Sequence, residues 1–241
     1  MNNVFAIAAA AILGVGIALG GYFGGQGLVE SRLGDRSVTV KGLSERDVKA
    51  DLALWPIRFV ATGNNVEGVQ AQIAVSTKAV IKFLKSEGFS DDEISVESPE
   101  VTDRMAQAYR SGPVDIRFII SQLVMVRSTD VDKVAEANRS TGNLVAAGIV
   151  LSSDRGPSRP SYLFTGLNKV KGEMIEEAMG RAKEAAQTFA RDSGTSLNGI
   201  RRAYQGQFQI LPRDNAPGIQ QSEQIDKTVR VVSTIEYLLA N

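Results

Sequence analysis

Two residue types are missing altogether: the chain has no cysteine and no histidine. Without cysteine there is no disulfide, no thiol nucleophile and no thiolate metal site. Without histidine there is no side chain that ordinarily titrates near neutral pH, and the commonest metal ligand is gone. An excess of charge of either sign is also missing, with 27 Lys and Arg against 27 Asp and Glu. That argues against a nucleic-acid partner, which calls for a basic surplus or stripe. Aromatic residues are scarce, at 6%, with one tryptophan, Trp55. Asp, Glu, Lys, Ser and Tyr remain available for chemistry, but no nucleophile elbow, phosphate loop or metal-ligand cluster is present. The inventory favours binding or structural work without a cofactor.

Charge is absent from the start of the chain as well: the first charged residue is Glu30. Residues 1–29 are apolar and rich in alanine and glycine. Val4 to Phe23 is long enough for one helix through a hydrocarbon core of roughly 30 Å. A helix there satisfies its own backbone hydrogen bonds. A cleaved export signal is the competing reading, with Ala18-Leu19-Gly20 as its cleavage site. The length of the run favours a retained anchor that meets the lipid bilayer through residues 4–23. Gly16 and Gly20 form a G-x-x-x-G pair that permits close helix pairing. Arg32 and Arg36 follow the span, interleaved with Glu30 and Asp35, and on their own would hold that side in the cytoplasm.

Residues 30–37 read as a polar link, and residues 38–241 as one domain. Ser37 to Gly42 alternates as a strand. Asp51 to Thr62 is a longer one, with Ala53, Trp55, Ile57, Phe59 and Ala61 on one face. Pro56 has no N–H for a ladder, which predicts an edge or a bulge there. Asn64 is placed to cap the next helix, lined by Val69, Ile73, Val80, Ile81 and Leu84 and ended by Gly88. Ile94 to Val101 is a strand, Met105 to Pro113 a loop, and Val114 to Arg127 a strand. A second helix runs from Asp130 to Asn143, and Pro160 to Leu167 is a short strand. The strongest helix spans Asn168 to Asp192, with Val170, Met174, Ala178, Ala182, Ala185 and Phe189 at helical spacing. Gly194 is its natural cap. Strands near Gly199 to Gln209 and Ile225 to Leu239 close the chain around a loop, LPRDNAPGIQQSE. The fold class is α+β: an antiparallel sheet of long bent strands with about three helices packed on it.

Val38 to Phe59, VTVKGLSERDVKADLALWPIRF, carries Val40-Lys41-Gly42 at a strand end, a short polar turn, and Ala50-Asp51 opening the next strand. Glu176 to Ile200 is an alanine-rich helix followed by a word close to G-x-x-L-G, from which it departs at Asn198, between Leu197 and Gly199. The two segments together resemble the SIMPL-domain proteins, across Ser37 to Asn241. The resemblance implies a bacterial envelope protein facing the periplasm, here held by an inner-membrane helix. This orientation overrides the weak signal of Arg32 and Arg36. Relatives include immunogenic envelope proteins, a branch that assembles into hollow rings, and members linked to oxidative-stress tolerance. The family supplies no catalytic residues.

Four positions have structural readings. Gly42 is expected where the first strand turns, with positive φ. Asp51 is expected to cap its turn through a backbone N–H, with Gly194 and Gly199 as the remaining signature glycines. Trp55 belongs either to the core or, beside Pro56, to a contact between copies. Tyr109 and Arg110, in a loop, are further candidates for such a contact. Glu173, Glu176 and Glu177 are read as solvated helix surface rather than a metal site. Arg201 and Arg202, adjacent on a strand, are expected on opposite faces, and Arg155 and Arg159 flank Pro157 in a loop. The leading reading is a non-enzymatic, membrane-anchored, self-assembling envelope protein. A monomeric module binding a ligand or another envelope protein is the first alternative, and a hydrolase without a recognisable motif the second.

Overall fold

Period-two alternation sets the centre of the fold. In strand β2 (Leu52–Gly63) the buried side chains beyond Leu52 at its start are Ala53, Trp55, Ile57, Phe59 and Ala61, the face the sequence predicts. The structure is a computed structural model describing residues 13–23, 25, 36–106, 115–152, 158–214 and 216–240. Residues 13–23 are helical, with Leu13, Val15, Ile17, Leu19, Tyr22 and Phe23 exposed. The rest of the expected span lies outside the described residues, and among those described no helix is long and apolar enough to cross a membrane. The class is α+β with antiparallel pairing. The chain divides into two units: Met1–Glu45, Lys171–Phe208 and Arg230–Asn241 form one, Arg46–Val170 and Gln209–Val229 the other.

The second unit is built on a six-stranded sheet. β3 (Ile94–Val96), β5 (Phe118–Ser128), β2 and β6 (Val150–Leu151) lie in that order, with β4 (Glu100–Asp103) also on β5 and β7 (Ser161–Leu163) also on β2. β2 and β5 pair without a register shift from Ala53↔Ser128 to Gly63↔Phe118. The edge or bulge expected at Pro56 is therefore corrected: the strand is internal and the ladder to β5 is regular. Ser152 donates its backbone N–H to the Arg58 carbonyl at 2.9 Å. That turns the backbone groups of even-numbered β2 residues toward the β6–β7 side. β7 pairs with residues 52–54 and β6 with residues 59–60, so Pro56 falls in the interval between them. Among the described residues its missing N–H leaves no ladder bond unmade.

Helix α1 (Val66–Ser86) covers this sheet with Val69, Ile73, Val80 and Leu84. Its cap is Asn65, whose side chain accepts from Glu67 N at 3.0 Å, and not Asn64. Asn64 instead ties the sheet, donating to Asp115 O at 3.1 Å and accepting from Arg117 N at 2.9 Å. Gly88 ends α1 with φ 87°. The helix expected over residues 130–143 is two, α2 (Val131–Arg139) and α3 (Gly142–Ala146). Ser140 N turns back to Ala137 O at 3.0 Å, and the Thr141 hydroxyl donates to the Asn138 carbonyl. These tightened bonds end the first helix before Gly142. The β5 strand begins at Phe118, later than the expected Val114, and buries Ile120, Gln122, Val124, Val126 and Ser128.

The other sheet has the order β1 (Ser37–Lys49), β10 (Asp226–Ala240), β8 (Ser196–Gln205), with β9 (Gln209–Pro212) also on β10. In the first unit, helix α4 (Leu167–Asp192) buries Met174, Ala178, Ala182, Ala186 and Ala190. Ala182 and Ala186 pack with Val40, Ile235 and Tyr237. The stripe keeps to steps of four, so Phe189, expected on it, is 59% exposed. β9 occupies the start of what reads in sequence as a loop.

Candidate functional site

Gly42 does not turn the chain. β1 runs through it to Lys49, and its φ is not positive. Its constraint is contact: a Cβ built there lies 1.8 Å from Ala178 O and 2.6 Å from Ala182 N. No side chain fits between strand and helix. The neighbouring bonds hold the same approach. Leu43 O accepts from the Arg181 guanidinium at 2.8 Å, and Ser44 Oγ donates to Glu177 Oε2 at 2.8 Å. Glu177, paired also with Arg181, is thus engaged in packing. Among the described residues no three acidic side chains are grouped to hold a metal ion.

Asp51 accepts from Thr165 N at 2.7 Å and gives its own N–H to Leu163 O at 2.9 Å. It therefore fastens the segment after β7, far along the chain, rather than a turn of its own. Gly194 has φ 67° and follows α4. Gly194 N donates to Arg191 O at 3.1 Å and Thr195 N to Ala190 O at 2.9 Å, a Schellman closure. Gly199 has φ 124°. In the β8–β10 register Gly199 opposes Leu238 and Leu197 opposes Leu239, so Asn198 is a bulged extra residue. The departure from the family word is this bulge.

A second bulge corrects the expectation for Arg201 and Arg202. Arg202 opposes Glu236 and Ile200 opposes Tyr237, leaving Arg201 as the extra residue. At a bulge two residues face one, so the guanidinium groups share Glu236 rather than opposite faces. The Ser37 hydroxyl donates to Glu236 at 2.7 Å, and Arg201 Nη1 lies 3.3 Å from it. The Ser37 bond and the charges of Arg201 and Arg202 hold the Glu236 carboxyl below its usual range, against the opposing effect of burial.

Of the residues considered for contacts between copies, Trp55 is 0% exposed and packs on Phe89 with ring centroids 6.4 Å apart. This is a core side chain, closed to another copy because β2 is internal and its odd-numbered face is covered. Pro56, beside it, is half-buried within the same sheet. Tyr109, Arg110 and Arg155 lie outside the described residues.

The feature no motif announced is a cleft of about 500 Å³ in the second unit. Ala135, Asn138 and Arg139 line it from α2, Tyr162 from β7, Arg213, Asp214, Ile219, Glu223, Gln224 and Ile225 from the chain before β10, and Asp226 from the first position of β10. Tyr162 opposes Ala53 in the sheet and is 6% exposed. Burial raises its hydroxyl pKa, opposed by the nearby Arg139 charge. The far wall is braced. Arg213 Nη1 lies 2.9 Å from Asp226 Oδ2, and Gln224 Nε2 donates to Asp214 O at 2.7 Å. Arg159 pairs with Glu223 at 3.7 Å.

Residues 38–236 match the family model SIMPL, described as a protein of unknown function (DUF541). No curated protein matches the chain. The matched span opens in β1, closes in β10, and takes in the Gly42–Ala178 contact, Asp51 and the bulge at Asn198. The chain therefore belongs to the SIMPL family.

Proposed function

We propose that this chain is a non-enzymatic, membrane-tethered envelope protein whose folded part faces the periplasm and associates with further copies of itself. The observation that carries the reading is the state of the four-stranded sheet. Its path ends in β1 on one side and β8 on the other, and neither has a further partner among the described strands. On β8, Ile200 and Tyr204 are exposed. Open antiparallel edges pair with another chain unless covered, bulged or charged. The bulges at Asn198 and Arg201 confine any added strand to the regular stretches, which gives such a contact a defined register. The tether is supported by the uncharged run before Glu30 and by the exposed apolar side chains of residues 13–23.

Two measurements test this. Light scattering coupled to size exclusion, on the detergent-solubilised full chain and on residues 37–241, is expected to give multiples of the monomer mass for both. A monomeric 37–241 at tens of micromolar removes the self-association. A reporter fused after Asn241 is expected to work only as a periplasmic reporter; cytoplasmic activity reverses the orientation, and a mature chain beginning near Gly21 removes the tether.

A further inference from the structure

We propose that the cleft between α2, β7 and the segment before β10 binds a small organic carboxylate with an apolar body. On the side formed by α2 and β7, three lining residues carry donors: Arg139 a guanidinium, Tyr162 a hydroxyl and Asn138 an amide. Arg139 forms no ion pair, and neither Tyr162 nor the Asn138 side chain forms a hydrogen bond, among the described residues. The Tyr162 ring is enclosed, yet its hydroxyl is not among the fully buried atoms lacking a partner. The hydroxyl is thus the part of Tyr162 that reaches the cleft. A hydroxyl, an amide and a planar guanidinium on one side match the two oxygens of a carboxylate, which guanidinium binds through charge-assisted hydrogen bonds.

The opposite wall selects among anions. Asp214, Glu223 and Asp226 line it, with Arg213 shared between Asp214 and Asp226 and Arg159 paired with Glu223. The three carboxylates exceed the two guanidinium groups by one charge, which Arg139 offsets, so a bound monoanion leaves one net negative charge in the cleft where a phosphate dianion leaves two. Between the walls lie Ala135, Ile219 and Ile225, apolar surface for the body of the ligand. The volume falls in the range of small-molecule sites. Its openness to solvent implies weak binding with fast exchange.

The test uses the full chain in nanodiscs with ring-labelled tyrosine, the Tyr162 signal being assigned by its loss in Tyr162→Phe. N-acetylphenylalanine is the probe and its carboxamide the control. A saturable shift of the Tyr162 signal is expected with the acid, and binding about tenfold weaker with the amide. Arg139→Gln, at an exposed position, is expected to weaken the acid by about tenfold and leave the amide unchanged. Equal binding of acid and amide, no saturable shift with the acid, or indifference to Arg139→Gln would each overturn the proposal. A thermal melt of Arg139→Gln matching the parent separates loss of the site from loss of the fold.

Discussion

Gly42 and Ala178 meet backbone to backbone: the space where a Gly42 side chain would begin is filled by the Ala178 carbonyl oxygen. A glycine in mid-strand, with ordinary backbone angles, is required there by its neighbour.

Gly42→Ala is accordingly expected to destabilise the protein by about 1–3 kcal/mol through overpacking, because a methyl group has to push strand from helix. Denaturant melts measure it. Adding Ala178→Gly is expected to restore nothing, since the obstructing atom belongs to the backbone; a rescue would show that the contact is made by side chains instead.

Trp55→Ala is expected to cost about 3–5 kcal/mol, the range for emptying a large core site. Trp55→Phe is expected to be far milder, because the indole N–H is buried without a partner among the described residues and its removal relieves a desolvated donor. Oligomer mass by light scattering is expected to be unchanged in Trp55→Phe. A loss of mass with an unchanged melt would place Trp55 at a contact between copies.

Glu93 provides a pH signature. Burial alone would raise its carboxyl, but hydrogen bonds from Ser128, Lys133 and Ser90 overcome this and hold it at about 2, against an ordinary 4.5. The Lys133 ammonium lies 2.9 Å away. Because the folded-state value is depressed, the unfolded chain takes up this proton first as pH falls. The stabilisation is complete above 4.5 and is lost as pH drops from there toward about 2. Urea midpoints at several pH values in that window are expected to fall less steeply for Glu93→Gln than for the parent. Parallel curves would remove Glu93 from the acid response.

Lys227 works in the opposite pH range. It is fully buried, with Nζ donating to Gln221 O at 2.6 Å, and burial pushes its ammonium below the ordinary 10.5. Between the folded and unfolded values the unfolded chain holds the extra proton, so stability rises with pH up to about 10.5. Lys227→Met is expected to raise the melting temperature at pH 7 and to flatten the alkaline rise. A lower melting temperature at pH 7 would mean that the Gln221 bond outweighs the cost of burying the amine.

Deleting Asn198 removes the bulged residue and joins Leu197 to Gly199, closing the departure from the family word. The deletion is expected to fold with a melting temperature within a few degrees of the parent, since flanking residues already pair on either side of Asn198. Failure to fold would show that the bulge is needed to aim the start of β8.

Where a segment's environment is regular, its sequence reads directly. The buried face of β2 follows from alternation, and α4 begins and ends within a residue of its periodic pattern. Misreadings occur where a distant neighbour decides. Nothing near Gly42 in sequence announces Ala178, and nothing near Pro56 reveals that β6 and β7 leave an interval beside it. The Asp130 to Asn143 helix breaks through local bonds at Ser140 and Thr141 that compete with helix continuation. The cleft was not legible at all. Asn138, Arg139, Tyr162 and the residues near Glu223 come from separate elements, and no spacing rule connects them.

The order of the sheet also bears on timing. The neighbour of β1, the first of the described strands, is β10, the last of them. The two meet near their ends, where Leu239 donates its N–H to Arg36 O at 2.9 Å. This pairing has to wait until β10 has been made, while β2 to β7 can close around their own core earlier. β1 therefore stays without this neighbour while every described strand between the two is made.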